Sequence, residues 1–290
     1  EVYPPREDSL FLKEYVKKFS RGNILDMGCG SGIQSKTALE NNEVNKVISI
    51  DLNENALKKT SEIKDERLKV IKSDLFSSLN NKYYDFFNLI IFNPPYLPSS
   101  FNDKYLDKGT KLATVGGKKG NETIIRFIKK LNYFLKNKGT CLLLYSSKSR
   151  PKEIFNELRY NLLNYELLDK REMQDSEKLF IIKIEKKNVL KRINKKYKVD
   201  YLTKGSHSYV FLNQDNQLIK VTNNVSLGSI KKEYDICKYI ENSSYNDKIN
   251  IPKHYSIDSK NEFLVREYIK GEEFDKLIPN LDKSELKKIL

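Results

Sequence analysis

Between residues 23 and 185, short apolar runs alternate with stretches whose apolar residues recur every three to four positions. The runs at 23–27, 46–51, 68–73, 86–92, 140–145 and 179–185 have strand length, and the stretches near 33–42, 53–61, 121–136 and 151–163 have helical spacing. Strands apolar on both faces must be covered on both, and strands joined by helices run parallel. The pattern therefore predicts an α/β domain whose mostly parallel sheet lies between two helical layers. A further helix is expected over "REDSLFLKEYVKKF", where Leu10, Phe11, Val16 and Phe19 suit one face. In such folds ligands bind beyond the carboxyl ends of the strands, so the strand ends are where function is sought.

Four successive strands end on a polar residue: Asp26, Asp51, Asp74 and Asn93. For any one of them helix capping is a sufficient explanation, because Asp and Asn commonly occupy such turns. Four in register point to one crevice. After Asp26 the chain reads "MGCGSGI", with glycines at 28, 30 and 32. Glycine suits a tight turn that must let a ligand approach the backbone. The spacing is G-x-G-x-G with Ile33 next, which misplaces the third glycine of the dinucleotide fingerprint and disfavours a nicotinamide cofactor. Asp51 lies about twenty residues beyond the glycines, where a carboxylate accepts hydrogen bonds from ribose hydroxyls.

The fourth strand runs into Asn93-Pro94-Pro95-Tyr96. Two prolines remove two backbone donors and fix the turn in advance. An amide or ring-conjugated NH2 is a poor nucleophile because its lone pair is delocalised. Acceptors that take hydrogen bonds from that NH2 draw density back to nitrogen, and the Asn93 side-chain oxygen with the Pro94 carbonyl supplies two. Tyr96 offers a ring to stack on a planar target.

With these residues in place, the chain over roughly 1–186 resembles the Rossmann-like class I S-adenosylmethionine-dependent methyltransferases. The resemblance implies that Asp26, Gly28 and Gly30 hold the amino acid part of the cofactor, Asp51 the ribose, and Asp74 with Leu75 the adenine. N-P-P-Y is the motif of members acting on planar nitrogens: adenine N6, cytosine N4 and glutamine N5. "VYPPREDSLFL" and "TVGGKKGNETIIRFIKKL" resemble the HemK-type glutamine methyltransferases of peptide chain release factors, in their short archaeal and eukaryotic branch. That likeness implies a release factor substrate, a small zinc-binding activator subunit and a cofactor contact at Ser9, where the branch usually has Thr. The competing enzyme reading is N6-adenine-type methylation of RNA or DNA, which requires extracting a base and usually a recognition domain.

After residue 197 the pattern changes. "DYLTKG", "SYVFLN" and "QLIKVT" read as consecutive strands, followed by a helix near 229–241 and a strand at 263–268. Lys220 in the third strand and Glu233 in the helix have the placement of the pair that holds ATP phosphates in kinases. Residues 198–290 thus resemble a RIO-like kinase N-lobe, a smaller α+β unit, with ATP as an implied ligand. Only Gly205 remains of a glycine-rich loop, and no H-R-D or D-F-G follows. Asp275 and Asn280 have a D-x-x-x-x-N spacing that we read as coincidence, so kinase activity is not expected of this chain. A module that binds ATP or docks on the ribosome is the alternative role.

Between the two units, "KKNVLKRINKKYK" contributes a basic segment, read over 187–197 as a solvated linker. The net charge of +14 favours encounter with RNA or acidic proteins, although lysine-rich surfaces are often only solvating. Cys29, Cys141 and Cys237 lie far apart and His207 and His254 are the only histidines, too few ligands for a disulfide framework or a zinc site. Reduced thiols and no metal are expected. No apolar run approaches the roughly 20 residues of a membrane span, and no secretion signal opens the chain, so a cytoplasmic location is expected. The missing initial Met and the closing "LDKSELKKIL" suggest a longer parent protein.

Overall fold

The computed structural model describes residues 2, 4–173, 176–197, 199–204, 208–222, 229–242, 251–258, 260 and 262–270. The chain divides into two compact units, Glu1–Arg192 and Ile193–Leu290.

The first unit opens with α1 (Glu7–Phe19), which has Glu7 and Asp8 in its first turn and Lys17 and Lys18 in its last, each sign opposite the helix-end charge beside it. There follow β1 (Gly22–Met27), α2 (Ile33–Leu39), β2 (Val44–Asp51), α3 (Glu54–Ser61), β3 (Leu68–Lys72) and β4 (Phe87–Phe92). The chain continues through β5 (Leu97–Pro98), α4 (Lys108–Thr114), β6 (Val115–Gly117), α5 (Glu122–Phe134), β7 (Leu135–Ser146), α6 (Pro151–Tyr160), β8 (Leu163–Glu172) and β9 (Lys178–Lys186). Seven strands form one sheet in the order β3-β2-β1-β4-β7-β9-β8. Pairings from β3 to β7 are parallel, and β9 is antiparallel to both β7 and β8.

Residue alternation assigns each strand's side chains to one of two layers. Leu25, Met27, Ile48, Ile50, Ile90 and Phe92 join Phe127 and Ile128 of α5 on one face. Ile24, Val47, Leu89 and Ile91 join Phe11, Leu12 and Val16 of α1 and Ala38 of α2 on the other. The strand order reverses direction at β1, whose neighbours are β2 and β4, and this is where an open α/β sheet leaves a crevice.

All six strands expected from the first unit's sequence are present, and β8 is one that was not expected. The helical reading over 151–163 ends instead at Tyr160, and the chain turns into a ten-residue edge strand dense in charge, Asn164-Tyr165-Glu166 and Asp169-Lys170-Arg171-Glu172. The segment read as a solvated basic linker is also different. Residues Asn188–Tyr197 form α7, in which Val189, Leu190 and Ile193 are buried. Spacing of one and four residues puts these three on one helical face.

The second unit contains β10 (Asp200–Lys204), β11 (Ser208–Leu212), β12 (Gln217–Thr222), α8 (Ser229–Glu241), β13 (His254–Ile257) and β14 (Phe263–Glu267). Its five-stranded sheet, in the order β10-β11-β12-β14-β13, is antiparallel. Such a sheet with one helix does not by itself assign kinase ancestry. Gly205, His207, Asp275 and Asn280 lie outside the described residues. Among the described residues no helix is long and apolar enough to cross a membrane.

Candidate active site

A cavity of about 470 Å³ opens at the carboxyl ends of β1, β2 and β4. Its floor is the turn after β1, where Gly28, Gly30 and Gly32 all take positive φ, of 67°, 52° and 79°. An L side chain is strained in that region, and here three such residues occur in five, so only glycine lets the backbone coil this tightly. Asp51 fastens the turn: its Oδ2 accepts from the Gly30 backbone N–H at 2.9 Å, and its Oδ1 from that of Asn53 at 2.8 Å. Each carboxylate oxygen retains a lone pair for a ligand hydroxyl. Burial raises the Asp51 carboxyl above its ordinary range, and the backbone donors of Asn53, Gly30 and Leu52 oppose that shift.

Asp26 plays a different part from its neighbours. It is almost fully buried and its Oδ2 accepts from Ser35 Oγ at 2.5 Å, with Ser49 Oγ a further 2.6 Å from Ser35. It thus ties β1 to the start of α2 besides lining the cavity. Burial pushes its carboxyl up to about 6, with the Asp51 charge adding to the rise and Ser35 opposing it. Between roughly pH 4 and 6 folded Asp26 keeps a proton that the unfolded chain has lost, so its effect is to make stability fall as pH rises through that window. Asp26→Asn keeps an acceptor for Ser35 and carries no charge. In urea unfolding of the protein alone it is expected to be more stable than the parent by about 2–3 kcal/mol above pH 7, since each pH unit between the unfolded and folded titration points is worth about 1.36 kcal/mol, and equal to it near pH 4. A difference that does not vary with pH would show that Asp26 is not the group that titrates.

The far wall comes from β3 and its sequel. Leu75 lines the cavity with a φ of 50°, an uncommon conformation for a branched apolar residue and one that a packed site must hold in place. Asp74 lines it too, and it is paired with Arg126 of α5, Nη2 to Oδ2 at 2.5 Å.

Of the N-P-P-Y residues, Asn93 and Pro95 face the cavity, while Pro94 is buried and Tyr96 packs part-buried against both core layers. Asn93 Nδ2 donates to Asp8 Oδ2 at 3.0 Å, and Asn93 Oδ1 is buried with no hydrogen-bond partner among the described residues. A buried acceptor left unmatched is costly, and such groups are rare in folded proteins. The turn is braced from outside by β5 and β6, where Leu97 pairs with Val115 and Ser99 N–H donates to Gly117 O at 2.8 Å. A Cβ on Gly116 would lie 2.5 Å from the carbonyl oxygens of Pro95 and Gly120, so this brace sits against the motif only because a side chain is missing.

The cavity therefore gathers Ser9, Asp26, Gly28, Gly30, Asp51, Asp74, Leu75, Asn93 and Pro95 from the sequence reading. It also includes residues that reading missed: Asp8, Gln34 and Arg126, with Lys108 and Lys111 of α4. Asp8 looked like an ordinary first-turn acid, and Arg126 like the polar face of an amphipathic helix. In the second unit Lys220 of β12 and Glu233 of α8 do meet, Nζ to Oε2 at 2.5 Å, both side chains being 28% exposed.

Comparison with known proteins shows what the chain is similar to. A Methanocaldococcus jannaschii protein, provisionally named a protein N5-glutamine methyltransferase, is 35% identical over 162 residues, 55% of this chain and 79% of that one. A release factor glutamine methyltransferase of Mycoplasma mycoides is 28% identical over 200 residues, 63% and 69% of the two chains. Among solved structures, the E. cuniculi Mtq2–Trm112 complex, which methylates the translation termination factor eRF1, matches with a TM-score of 0.50 and 26% identity. The match covers 64% of this chain and 98% of that one. The sequence pattern of one family matches residues 7–173, more than half of the 290 and nearly the whole stretch that builds the cavity; this chain belongs to the methyltransferase small domain family.

Proposed function

We infer that the first unit transfers a methyl group from S-adenosylmethionine to the side-chain amide nitrogen of a glutamine in a peptide chain release factor. The observation that carries the reading is the buried Oδ1 of Asn93, without a partner among the described residues, at a cavity whose other end is a glycine turn fastened by a carboxylate. These residues suit the cofactor: backbone without side chains at the turn, a half-buried carboxylate with free lone pairs, and an apolar wall at Leu75. When bound, S-adenosylmethionine supplies a methyl group on a sulfonium centre.

The chain's own residues do the rest. Asn93 Oδ1 accepts one hydrogen of the incoming NH2, and the N-P-P-Y resemblance assigns the other to the Pro94 carbonyl, which is not among the residues that line the cavity; the pair aims the lone pair and holds the positive charge that grows on nitrogen as the new bond forms. No side chain need remove a proton before transfer, because the methylated nitrogen can release one afterwards to solvent. The relatives named for glutamine methylation and the eRF1-methylating neighbour support the choice of a glutamine amide over a base. By the same likeness we propose a small activator subunit as partner.

The test is to incubate the full chain with labelled cofactor and, in separate reactions, a class I release factor, ribosomal RNA and duplex DNA, each with and without that subunit. Label is expected on the release factor alone, with mass spectrometry locating one added methyl on the glutamine of its Gly-Gly-Gln loop. Label confined to nucleic acid, and falling steeply with salt as phosphate contacts do, would replace the glutamine reading by the adenine one.

The Lys220–Glu233 ion pair favours a second reading for the second unit alone, that it binds ATP as a kinase N-lobe does. Saturable ATP binding by the full chain, lost in Lys220→Ala, is the expected result; no binding at millimolar ATP would discard the idea.

A further inference from the structure

The Asn93 side chain has two nearly isosteric orientations that exchange an acceptor for a donor, and only one of them serves transfer. Something must choose between them. The group placed to do so is Asp8, in the first turn of α1, 85 residues away in sequence and 9% exposed. Its Oδ2 accepts from Asn93 Nδ2 at 3.0 Å. An ionised carboxylate only accepts, so turning the Asn93 amide over would set oxygen against oxygen across the same gap.

Asp8 is itself held. Its Oδ1 accepts from the Ser9 backbone N–H at 2.7 Å and faces Ser9 Oγ at 3.3 Å. The Ser9 carbonyl in turn accepts from Gln34 Nε2 of α2 at 2.8 Å. The carboxylate is therefore held by the first turn of its own helix as well as by Asn93, and Gln34 of α2 fastens the Ser9 backbone next to it, which is the support a group needs if it is to orient another.

We propose that Asp8 is the positioning residue of this site, fixing the Asn93 amide with Oδ1 toward the acceptor nitrogen. The inference rests on the methyl-transfer reading of the cavity. It adds an electrostatic consequence: a carboxylate hydrogen-bonded to the far side of the Asn93 amide polarises it, making Oδ1 a stronger acceptor as positive charge develops on the substrate nitrogen.

The experiment is a double-mutant cycle in the full chain, reading kcat and KM for the methyl acceptor identified above, with cofactor affinity measured by calorimetry. Partners that orient a reacting ligand typically contribute about 10- to 100-fold in activity. Asp8→Ala and the near-isosteric Asp8→Asn are each expected to lower kcat by that factor, with cofactor Kd and KM little changed, and Asp8→Glu to recover part of the loss. In the Asn93→Ala background Asp8→Ala should have no further effect, since there is no amide left to orient.

Three results overturn the proposal: kcat unchanged in both Asp8 variants, a loss of cofactor affinity that accounts for the whole rate effect, or full additivity with Asn93→Ala. Asp8→Asn decides the matter if Asp8→Ala fails to fold. A wild-type chain active on glutamine or on adenine but showing one of these results removes the role of Asp8 and leaves the methyl-transfer reading standing. A wild-type chain that labels no acceptor, with or without the activator, removes both.

Discussion

Asn93→Ala is expected to slow methyl transfer by about 100- to 1000-fold, the usual cost of removing one oriented polar group from a reacting centre. The Asn93 Oδ1 atom is buried and without a partner among the described residues, so it is an acceptor kept for something that arrives. Alanine removes that acceptor and leaves the Pro94 carbonyl to hold the NH2 alone. Lost turnover with preserved cofactor affinity would place the effect on the nucleophile. Turnover within a few-fold of the parent would mean that the buried oxygen has no part in transfer. Because the substitution also leaves Asp8 without its partner, a thermal melt must accompany the rate measurement.

The second large effect belongs to Asp51→Ala. Hydrogen bonds to a charged acceptor contribute about 1.5–3 kcal/mol, which for one ribose contact corresponds to roughly a 10- to 150-fold loss of S-adenosylmethionine affinity. The structure adds a second route to the same loss. The carboxylate also receives the backbone N–H groups of Gly30 and Asn53, so its removal loosens the glycine turn as well as the ribose contact. Asp51→Asn separates the two routes: it retains one acceptor oxygen and should keep more affinity than alanine. Unchanged affinity of the alanine variant in calorimetry would overturn the placement of the cofactor.

The parts of this fold readable from sequence were those where one residue type has few alternative uses. Buried parallel strands leave continuous apolar runs, and a strand that ends in Asn-Pro-Pro-Tyr has few structural excuses. Edge strand β8 was unreadable for the opposite reason. With one side open to solvent it carries charges that a central strand excludes, and its start continues the helical spacing of α6. The helix α7 was hidden by lysines, although Val189, Leu190 and Ile193 carry the spacing that betrays it. The pieces α4, β5 and β6 are too short for any period to register.

Within the site, the glycine turn and Asp51 were legible because in a parallel βαβ unit a glycine turn and the acid ending the next strand meet at a fixed offset of about twenty residues, here 21 between Gly30 and Asp51. Asp8 was not: nothing in the sequence links residue 8 to residue 93, and an acid in a first helical turn already has a sufficient local reason to be there. Asp74 was legible as a strand-end acid, but its pairing with Arg126 joins β3 to α5 across 52 residues and leaves no local trace.

The order in which the sheet is completed has a consequence during synthesis. Strand β7 contains the wholly buried run Cys141–Tyr145 and finds its second neighbour only in β9, which ends at Lys186, 40 residues after β7 ends at Ser146. At ~5–20 residues per second a nascent chain spends about 2–8 s with that apolar edge made and not yet covered. The edge is long, β-prone and free of charge from Cys141 to Ser146, the properties that recruit a like strand from another molecule. Chains that stall or terminate between 146 and 178 would hold every residue of the crevice and still be the species most prone to aggregate, and the charged strand β8, laid outside β9, is what finally closes the sheet to such encounters.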